Sequence, residues 1–264
     1  MSKFGSVVEL GLPLNISEGV GTGGSVLLPS GSSFNPLTQI TWVAAVWASD
    51  PLWANPADGG KAASWRTVGT AAGGDIANGT GANQPTYNAS ATSFAGKPAL
   101  TFGGPSISLS QASDWASPVT FPYSIIWIGR RIAAGGGANE RLVNARSDEG
   151  SSILLNFPTS NDFGLYAGGA GIAGPAYDTN PHLITAYINS GSNGRIAVDG
   201  AAGTTGNSGS LQANRFSINL GGSSVDFANQ QVVFAGVYNG DVQSDASWAS
   251  FKTWARSFYG LTLS

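Results

Sequence analysis

The C-terminal part of the chain places a strand directly before one short helix, and a strand-rich chain that closes with a single helix has a specific signature. An apolar run from Gln230 to Tyr238 is followed by the turn residues Asn239, Gly240 and Asp241. Apolar residues then recur at helical spacing. We therefore predict one amphipathic helix whose buried face consists of Trp248, Phe251, Trp254, Ala255 and Phe258.

The predicted helix also carries start and stop signals. Ser244 or Asp245 supplies a side-chain oxygen for the N-cap. Lys252 and Arg256 lie towards the C-terminal end, where cations suit the helix dipole. Gly260 follows at the point where a chain leaving the helix favours a residue without a Cβ atom. The helix is therefore expected to end at Gly260.

From Ile40 onward the chain alternates short β-type runs with turn clusters. This spacing predicts an all-β fold, a two-sheet antiparallel jelly-roll sandwich with one short C-terminal α-helix. An Asn-Gly pair at Asn193 and Gly194 further predicts a hairpin. The β-type runs are Pro98–Phe102, Tyr123–Ile132, Ser152–Phe157, Phe163–Ala167, Leu183–Asn189, Arg195–Asp199, Arg215–Leu220 and Gln231–Tyr238.

The N-terminal segment differs from the rest of the chain. Residues 1–38 hold a dense group of glycines at positions 19, 21, 23 and 24, between two short apolar pieces. We predict an extended N-terminal arm over 1–38 and a jelly-roll domain over 39–264. The arm packs along its own domain or on a neighbouring subunit, and an ordinary edge strand is the alternative.

Composition excludes several classes of function. Lys and Arg total only 12 and the formal net charge is −3, so the chain lacks the basic stripe that a nucleic-acid partner requires. No cysteine is present, which rules out disulfides and thiolate sites. The N-terminus lacks the features of a signal peptide, and no segment has the roughly 18 apolar residues that a membrane helix needs. We expect neither a nucleic-acid nor a membrane partner, and synthesis in the cytoplasm.

The stretch from Thr67 to Gln84 is rich in Gly, Ala, Thr and Asn, with Val68 and Ile76 as its sizeable apolar residues. Such a composition predicts a surface loop and argues against a buried strand. Because loops carried by a rigid scaffold often hold binding residues, this stretch is a candidate binding surface.

Four stretches of the sequence resemble the concanavalin A-like lectin/glucanase superfamily, in particular its laminin-G-like domains. They are VWASDPLWANPADGGKAASWRTVG, ANQPTYNASATSFAGKPALTFGG, HLITAYINSGSNGRIAVDG and VVFAGVYNGDVQSDASWASFKTWARSFYGL. The resemblance runs from about Ile40 to Leu261. It implies the jelly-roll fold that the strand spacing also predicts, but it does not fix an activity.

Lectins of this superfamily bind sugars through aromatic faces and through Asn and Asp hydrogen bonds. The resemblance therefore directs attention to aromatic residues near loops, although most Trp side chains of a sandwich lie in the core. The candidate carbohydrate-binding residues are Trp53, Trp65, Tyr87, Trp115, Tyr166 and Tyr177.

Members of the superfamily often hold a calcium ion through loop Asp and Asn oxygens, so calcium is the one cofactor to consider. Hard oxygen ligands suit this ion. The candidate ligands are Asn161, Asp162, Asp199, Asn239 and Asp241. Each is also a common turn residue, and a purely structural role is the alternative.

The sequence argues against catalysis. Retaining glycoside hydrolysis needs two carboxyl groups about 5 Å apart. Asp148 and Glu149 are adjacent, so in a strand they would point to opposite faces. The single histidine, His182, lies at a strand entrance and is interpreted as a partly buried structural residue. We predict that the chain is not an enzyme.

Two functions agree with these features. The first is a virion structural protein of a double-stranded DNA phage, as a capsid decoration, fibre or tail component. Its arm would contact other virion proteins or sister subunits in a homo-oligomer, and its lectin-like domain would aid adhesion to host glycans. The alternative is a carbohydrate-binding module of a bacterial adhesin or carbohydrate-active protein.

Overall fold

The computed structural model describes residues 34–71, 73–104, 106–133, 139–148, 150–155, 161–168, 171–190, 193–219 and 227–264. These form sixteen strands, three short 3-10 helices and one α-helix, α1 (Trp248–Tyr259). The strands are β1 (Trp42–Trp47), β2 (Ser64–Trp65), β3 (Ile76–Ala77), β4 (Thr86–Ala91), β5 (Lys97–Phe102), β6 (Leu109–Ser110), β7 (Tyr123–Ala133), β8 (Glu140–Asn144), β9 (Ser152–Leu155), β10 (Asp162–Tyr166), β11 (Ile172–Ala176), β12 (His182–Ile188), β13 (Gly194–Val198), β14 (Thr204–Gly206), β15 (Ser217–Ile218) and β16 (Asn229–Asn239). The 3-10 helices are Gly81–Asn83, Thr92–Phe94 and Val242–Ser244.

The strands make two antiparallel sheets of eight strands each. The first follows the order β14-β13-β12-β7-β16-β5-β4, and β1 also pairs with β16. The second follows the order β11-β10-β9-β8-β15-β6-β3-β2. The structure thus confirms the predicted all-β sandwich with one helix near the C-terminus.

The core lies between the two sheets and follows from the alternation of side chains along each strand. In β16, Val232, Ala235 and Val237 belong to this core. Phe234 is equally buried but contacts the rings of Trp42 and Phe251. The outer face of the first sheet is therefore covered by α1, and β16 is apolar on both faces because both are buried.

The helix forms where predicted, with two corrections. Its buried residues are Trp248, Phe251, Trp254, Ala255 and Tyr259. Phe258 was predicted in this set, but it is half-buried, with the Lys97 ammonium 4.5 Å from its ring centre. Ser247 occupies the N-cap position that we assigned to Ser244 or Asp245, because Val242–Ser244 forms a 3-10 turn before the helix. Gly260 ends the helix with a φ of 70°, as predicted.

Most of the predicted N-terminal arm, residues 1–33, lies outside the described residues. Its described end packs on the helix, with the Phe34 ring centre 6.2 Å from that of Phe251 and 6.0 Å from that of Trp254. Phe34 and Leu37 are buried. The described end of the predicted arm therefore packs on the domain, and an extended arm over residues 1–38 stays a prediction.

Each β-type run contains a strand. In the predicted hairpin β12 pairs with β13, with Tyr187 opposite Arg195 at one end and Ile184 opposite Val198 at the other.

The expectation that Thr67–Gln84 makes no buried strand was wrong. Ile76 opens the two-residue strand β3 and is fully buried. One large apolar residue is enough here because β3 pairs with β2 and β6 at the end of a sheet. No helix in the described part of the chain is long and apolar enough to span a membrane.

Candidate functional site

A cleft of about 420 Å³ opens beside the start of β1 and the end of β16. Its volume falls in the range of small-molecule sites, about 300–1,000 Å³. Hydroxyl, amide and small apolar side chains line it. They are Thr41, Val43, Thr70, Ala71, Ser117, Pro118, Val119, Thr120 and Asn239.

Backbone hydrogen bonds build the first wall of the cleft. The Thr70 N–H donates to the Trp42 carbonyl over 3.0 Å, and the Ala71 N–H donates to the Val43 carbonyl over 2.9 Å. Residues 70–71 therefore run beside the start of β1. The preceding Gly69 permits this approach, because a Cβ atom there would lie 2.2 Å from the Val43 carbonyl oxygen.

The opposite wall is the loop of residues 117–120. It is held by the Val119 N–H, which donates to the Ala213 carbonyl over 2.7 Å. This bond ties the loop to the segment that leads into β15. The hydroxyls of Ser117 and Thr120 remain exposed on either side of the bonded residue.

The position of Asn239 is fixed by the long pairing between β7 and β16, in which Asn239 lies opposite Tyr123. The turn after β16 is held by Ser124, whose hydroxyl donates to the Gly240 carbonyl over 2.7 Å and accepts from the Val242 N–H over 3.1 Å. Gly240 has a φ of 115°, which a residue with a Cβ atom rarely adopts. Asn239 therefore projects at the cleft from a rigid strand end.

The chemistry of the lining is neutral. Thr41, Thr70, Thr120 and Asn239 are exposed, and each of these side chains both donates and accepts hydrogen bonds. Val43 adds a buried apolar surface. The described lining has no charged side chain. Such a site fits a ligand that carries many hydroxyl groups and a small apolar face.

Four of the six predicted carbohydrate-binding aromatics lie in the core, which corrects the expectation of an exposed platform. Their exposed fractions are 7% for Trp53, 0% for Trp65, 5% for Tyr87 and 4% for Trp115. A ring buried to this degree has no free face on which a sugar could stack.

Packing explains the burial of these rings. The Trp53 ring lies 5.9 Å from the Trp65 ring and 5.7 Å from the Tyr87 ring, measured between centres. Trp115 donates its indole N–H to Gln111 over 2.6 Å. A large apolar body with one polar atom is well suited to the core once that atom has a partner. The sequence prediction mistook proximity to loops for exposure.

Tyr166 and Tyr177 are half-buried and do not lie on the cleft. The Arg131 guanidinium lies 4.5 Å from the Tyr177 ring centre and pairs with Glu140 over 2.7 Å. Tyr166 ends a row of cross-strand polar residues on the outer face of the second sheet. The row is Ser110, Ser217, Asn144, Ser152 and Tyr166. Its three central members are buried, so the row offers no open groove, and sugar binding by Tyr166 or Tyr177 stays a prediction.

The predicted calcium ligands lie in separate places. Asp199 follows β13 and contacts His182, whereas Asp241 accepts a hydrogen bond from Arg195 over 2.7 Å. Asn161 and Asp162 lie where β10 begins, and Asn239 lines the cleft. The described residues include no group of three or more His, Cys, Asp or Glu side chains that could hold a metal. The carboxylates of Asp199 and Asp241 face protein cations, and calcium binding by the five residues stays a prediction.

The single histidine forms a cluster of its own. His182 Nδ1 lies 2.7 Å from Asp199 Oδ2, and His182 Nε2 lies 2.9 Å from Asp178 Oδ1. Burial lowers the pKa of His182, but the hydrogen bonds to the two carboxylates outweigh it and the pKa is raised. Ionised carboxylates only accept hydrogen bonds, so both ring nitrogens donate when the ring is protonated. The imidazole ring lies between the two acids.

Asp148 lies in a turn, and Glu149 lies outside the described residues. Asp148 accepts hydrogen bonds from Arg146 Nε over 2.6 Å and from the Gly150 N–H over 3.0 Å. Partial burial raises the pKa of Asp148, but these bonds and the charge of Arg146 lower it more strongly. Asp148 is therefore an ionised, ion-paired turn residue.

Among the candidate site residues named from the sequence, Asn239 alone is part of the described cleft lining. The sequence also marked Thr67–Gln84 as a candidate binding surface, and Thr70 and Ala71 of that stretch do line the cleft. Thr41, Ser117 and Thr120 were missed. They carry no local signal, because Ser and Thr are common in loops and their convergence depends on long-range pairing.

No protein-family model matches the sequence, and no curated protein is significantly similar to it. Solved structures give weak similarities. A Trypanosoma rangeli sialidase in complex with sialic acid is 13% identical, with 82% of this chain and 33% of that chain covered and a TM-score of 0.49. The same enzyme in complex with 2,3-difluoro-KDN is 11% identical over 88% of this chain and 36% of that chain, with a TM-score of 0.48.

The binding domain of botulinum neurotoxin DC in complex with SialylT is 10% identical, over 61% of this chain and 40% of that chain, with a TM-score of 0.38. The chain spans about a third of the length of the sialidases. At these scores the similarities decide neither the site nor the activity, so the functional argument depends on the geometry of the cleft.

Proposed function

We propose that this chain is a non-enzymatic carbohydrate-binding domain and that the cleft is its binding site. The observation that carries the proposal is the lining itself. Hydroxyl groups from Thr41, Thr70, Ser117 and Thr120 and the amide of Asn239 converge on a space of about 420 Å³.

The physical match is one of hydrogen-bonding capacity. A sugar hydroxyl both donates and accepts, as do the Ser, Thr and Asn side chains of the lining. The apolar patch of Val43, Ala71 and Val119 can contact the C–H face of a sugar ring. Because no aromatic ring is among the described lining residues, we expect modest affinity, with a Kd of about 0.1–1 mM or about −4 to −5.5 kcal/mol.

A non-catalytic role agrees with the distribution of acids. Asp148 is ion-paired with Arg146, and Asp178 and Asp199 are separated by the imidazolium of His182. The described lining contains no carboxylate. A pair of acids flanking an open groove, as retaining or inverting hydrolysis requires, is thus missing from the cleft.

The test is glycan binding by the whole chain and by two matched variants. Asn239→Ala removes the amide of the cleft. Thr205→Ala is the control, because Thr205 is exposed on edge strand β14, four strand positions or about 19 Å from β16. We expect Asn239→Ala to weaken binding at least about fivefold, the loss of about one net hydrogen bond, and Thr205→Ala to have no effect. Equal affinities in all three proteins would refute the cleft as the site.

We further propose, as predicted from the sequence, that this domain is displayed on the virion of a double-stranded DNA phage. The support for this proposal is the glycine-rich segment at residues 19–24 and the low content of charged residues, 10%. Removal of residues 1–31, which spares Phe34, tests it by light scattering. Loss of an oligomer or of binding to virion partners, with the same melting temperature, would support attachment through this segment. Unchanged assembly would favour the adhesin-type module.

A further inference from the structure

We infer that the cleft selects neutral glycans and discriminates against glycans that carry a carboxylate, such as those ending in sialic acid. This inference rests on the proposed function and specifies the ligand class of the same site. It specifies the charge of the glycan that the cleft accepts.

The first step of the argument is the lining. A carboxylate that leaves water loses a large hydration energy, and a nearby cation is the partner that compensates this loss most fully. The described lining offers neither Lys nor Arg. Its hydroxyl and amide groups can both donate hydrogen bonds to a neutral hydroxyl and accept hydrogen bonds from it. A bound carboxylate would therefore lose hydration without gaining a charged partner.

The second step is the sign of the nearby charges. Two acids, Asp241 and Asp245, follow Asn239 in the turn that ends the strand. Burial, the hydrogen bond to Asp245 and the charges of Asp245 and Asp241 raise the pKa of Tyr238, the neighbour of Asn239. Asp245 therefore places a negative charge beside Tyr238, at the end of β16.

The cations of this region are already engaged. Asp241 is paired with Arg195 over 2.7 Å. Asp245 accepts hydrogen bonds from the Tyr238 hydroxyl over 2.9 Å and from the Ser247 N–H over 2.7 Å, neither of which carries a positive charge. The turn thus keeps net negative charge, and the chain as a whole has a formal charge of −3. Net negative charge on the protein disfavours the approach of an anionic sugar.

The experiment uses the full chain and an array of paired glycans, each neutral oligosaccharide beside the same oligosaccharide with a terminal sialic acid. Two lysine substitutions convert the inference into a charge test. Asn239→Lys adds a cation at the cleft. Thr205→Lys adds the same charge on edge strand β14, about 19 Å away across the sheet, where salt screening with a Debye length of about 8 Å removes its effect.

We expect the wild type to bind the neutral member of each productive pair at least about tenfold more tightly. Asn239→Lys should shift that ratio towards the sialylated member by about fivefold, the upper end of what one exposed charge pair contributes. Thr205→Lys should leave the ratio unchanged within about twofold.

The outcomes separate the two proposals. Tighter binding of sialylated members by the wild type would overturn the inferred ligand class while leaving the carbohydrate-binding function in place. Equal shifts by both lysine variants would also overturn the inference, since the effect would then come from overall charge. Absence of binding to every glycan would overturn the proposed function itself.

Discussion

His182 provides the sharpest prediction about stability, because it is the only histidine of the chain and is hydrogen-bonded to two carboxylates. Its pKa is raised in the folded protein. The stabilisation should therefore be complete below the unfolded-state pKa of about 6.5 and be lost as the pH rises through the higher folded-state pKa. We expect the melting temperature to fall as the pH rises through the folded-state pKa.

The size of the effect follows from the exposure of the partners. The Asp199 side chain is 27% exposed, and a hydrogen bond between such charged groups contributes about 1.5–3 kcal/mol. Asp178 is 55% exposed, so solvent screening reduces its share to about 0–1 kcal/mol. Replacement His182→Gln should then cost about 1.5–4 kcal/mol at pH 6. For a domain of this size that lowers the Tm by about 3–16 °C.

The assay is thermal unfolding of wild type and His182→Gln at pH 6 and at pH 9, with the folded-state pKa measured from the single imidazole signal by NMR. The difference in Tm should be large at pH 6 and smaller at pH 9, because the stabilisation is lost as the pH rises through the folded-state pKa. Asp199→Asn should reproduce most of the loss and Asp178→Asn little of it. An equal difference at both pH values would refute the role of protonation and leave only a packing effect.

Four further predictions concern the cleft, the core and the ions. Gly69→Ala should destabilise the protein by about 1–3 kcal/mol and weaken glycan binding, since its Cβ would meet the Val43 carbonyl 2.2 Å away; unchanged affinity in a titration would contradict our account of the first wall. Trp115→Ala should cost about 3–5 kcal/mol in thermal or denaturant unfolding, whereas a ring used only for sugar binding would lose affinity at constant Tm. Asp241→Asn should lower the Tm by about 2–4 °C through loss of the half-buried pair with Arg195, and an unchanged Tm would show the pair to be neutral. Calcium bound at Asp162 should raise the Tm of the wild type and leave the Tm of Asp162→Asn unchanged. An equal rise in both proteins would place the ion elsewhere.

The fold was predictable because its signals are local. Alternating apolar runs, the Asn-Gly hairpin and the helical spacing from Trp248 onward each depend on a few neighbouring residues. The details that failed depend on contacts made elsewhere. Phe258 lies at the margin of the buried helix face, where Lys97 of β5 covers it. Ile76 is buried because distant strands supply pairing partners.

The candidate site was much less predictable. Asn239 drew attention as a metal ligand, but its place in the structure is the rim of a neutral cleft. The loop-adjacent aromatics illustrate the limit most clearly. Trp53, Trp65 and Tyr87 are separated by turn residues in the sequence, yet they converge on one buried cluster. Exposure is decided by the whole sandwich, and no local pattern encodes it.

The most direct test of the central claim is a titration of isotope-labelled protein with a neutral oligosaccharide, followed residue by residue by NMR. We predict saturable shifts confined to residues 41–43, 70–71, 117–120 and 239, and their loss in Asn239→Ala. Saturable shifts centred on Tyr166 or Tyr177, with the cleft residues unmoved, would contradict the assignment of the cleft. No saturable shift with any glycan would contradict carbohydrate binding altogether.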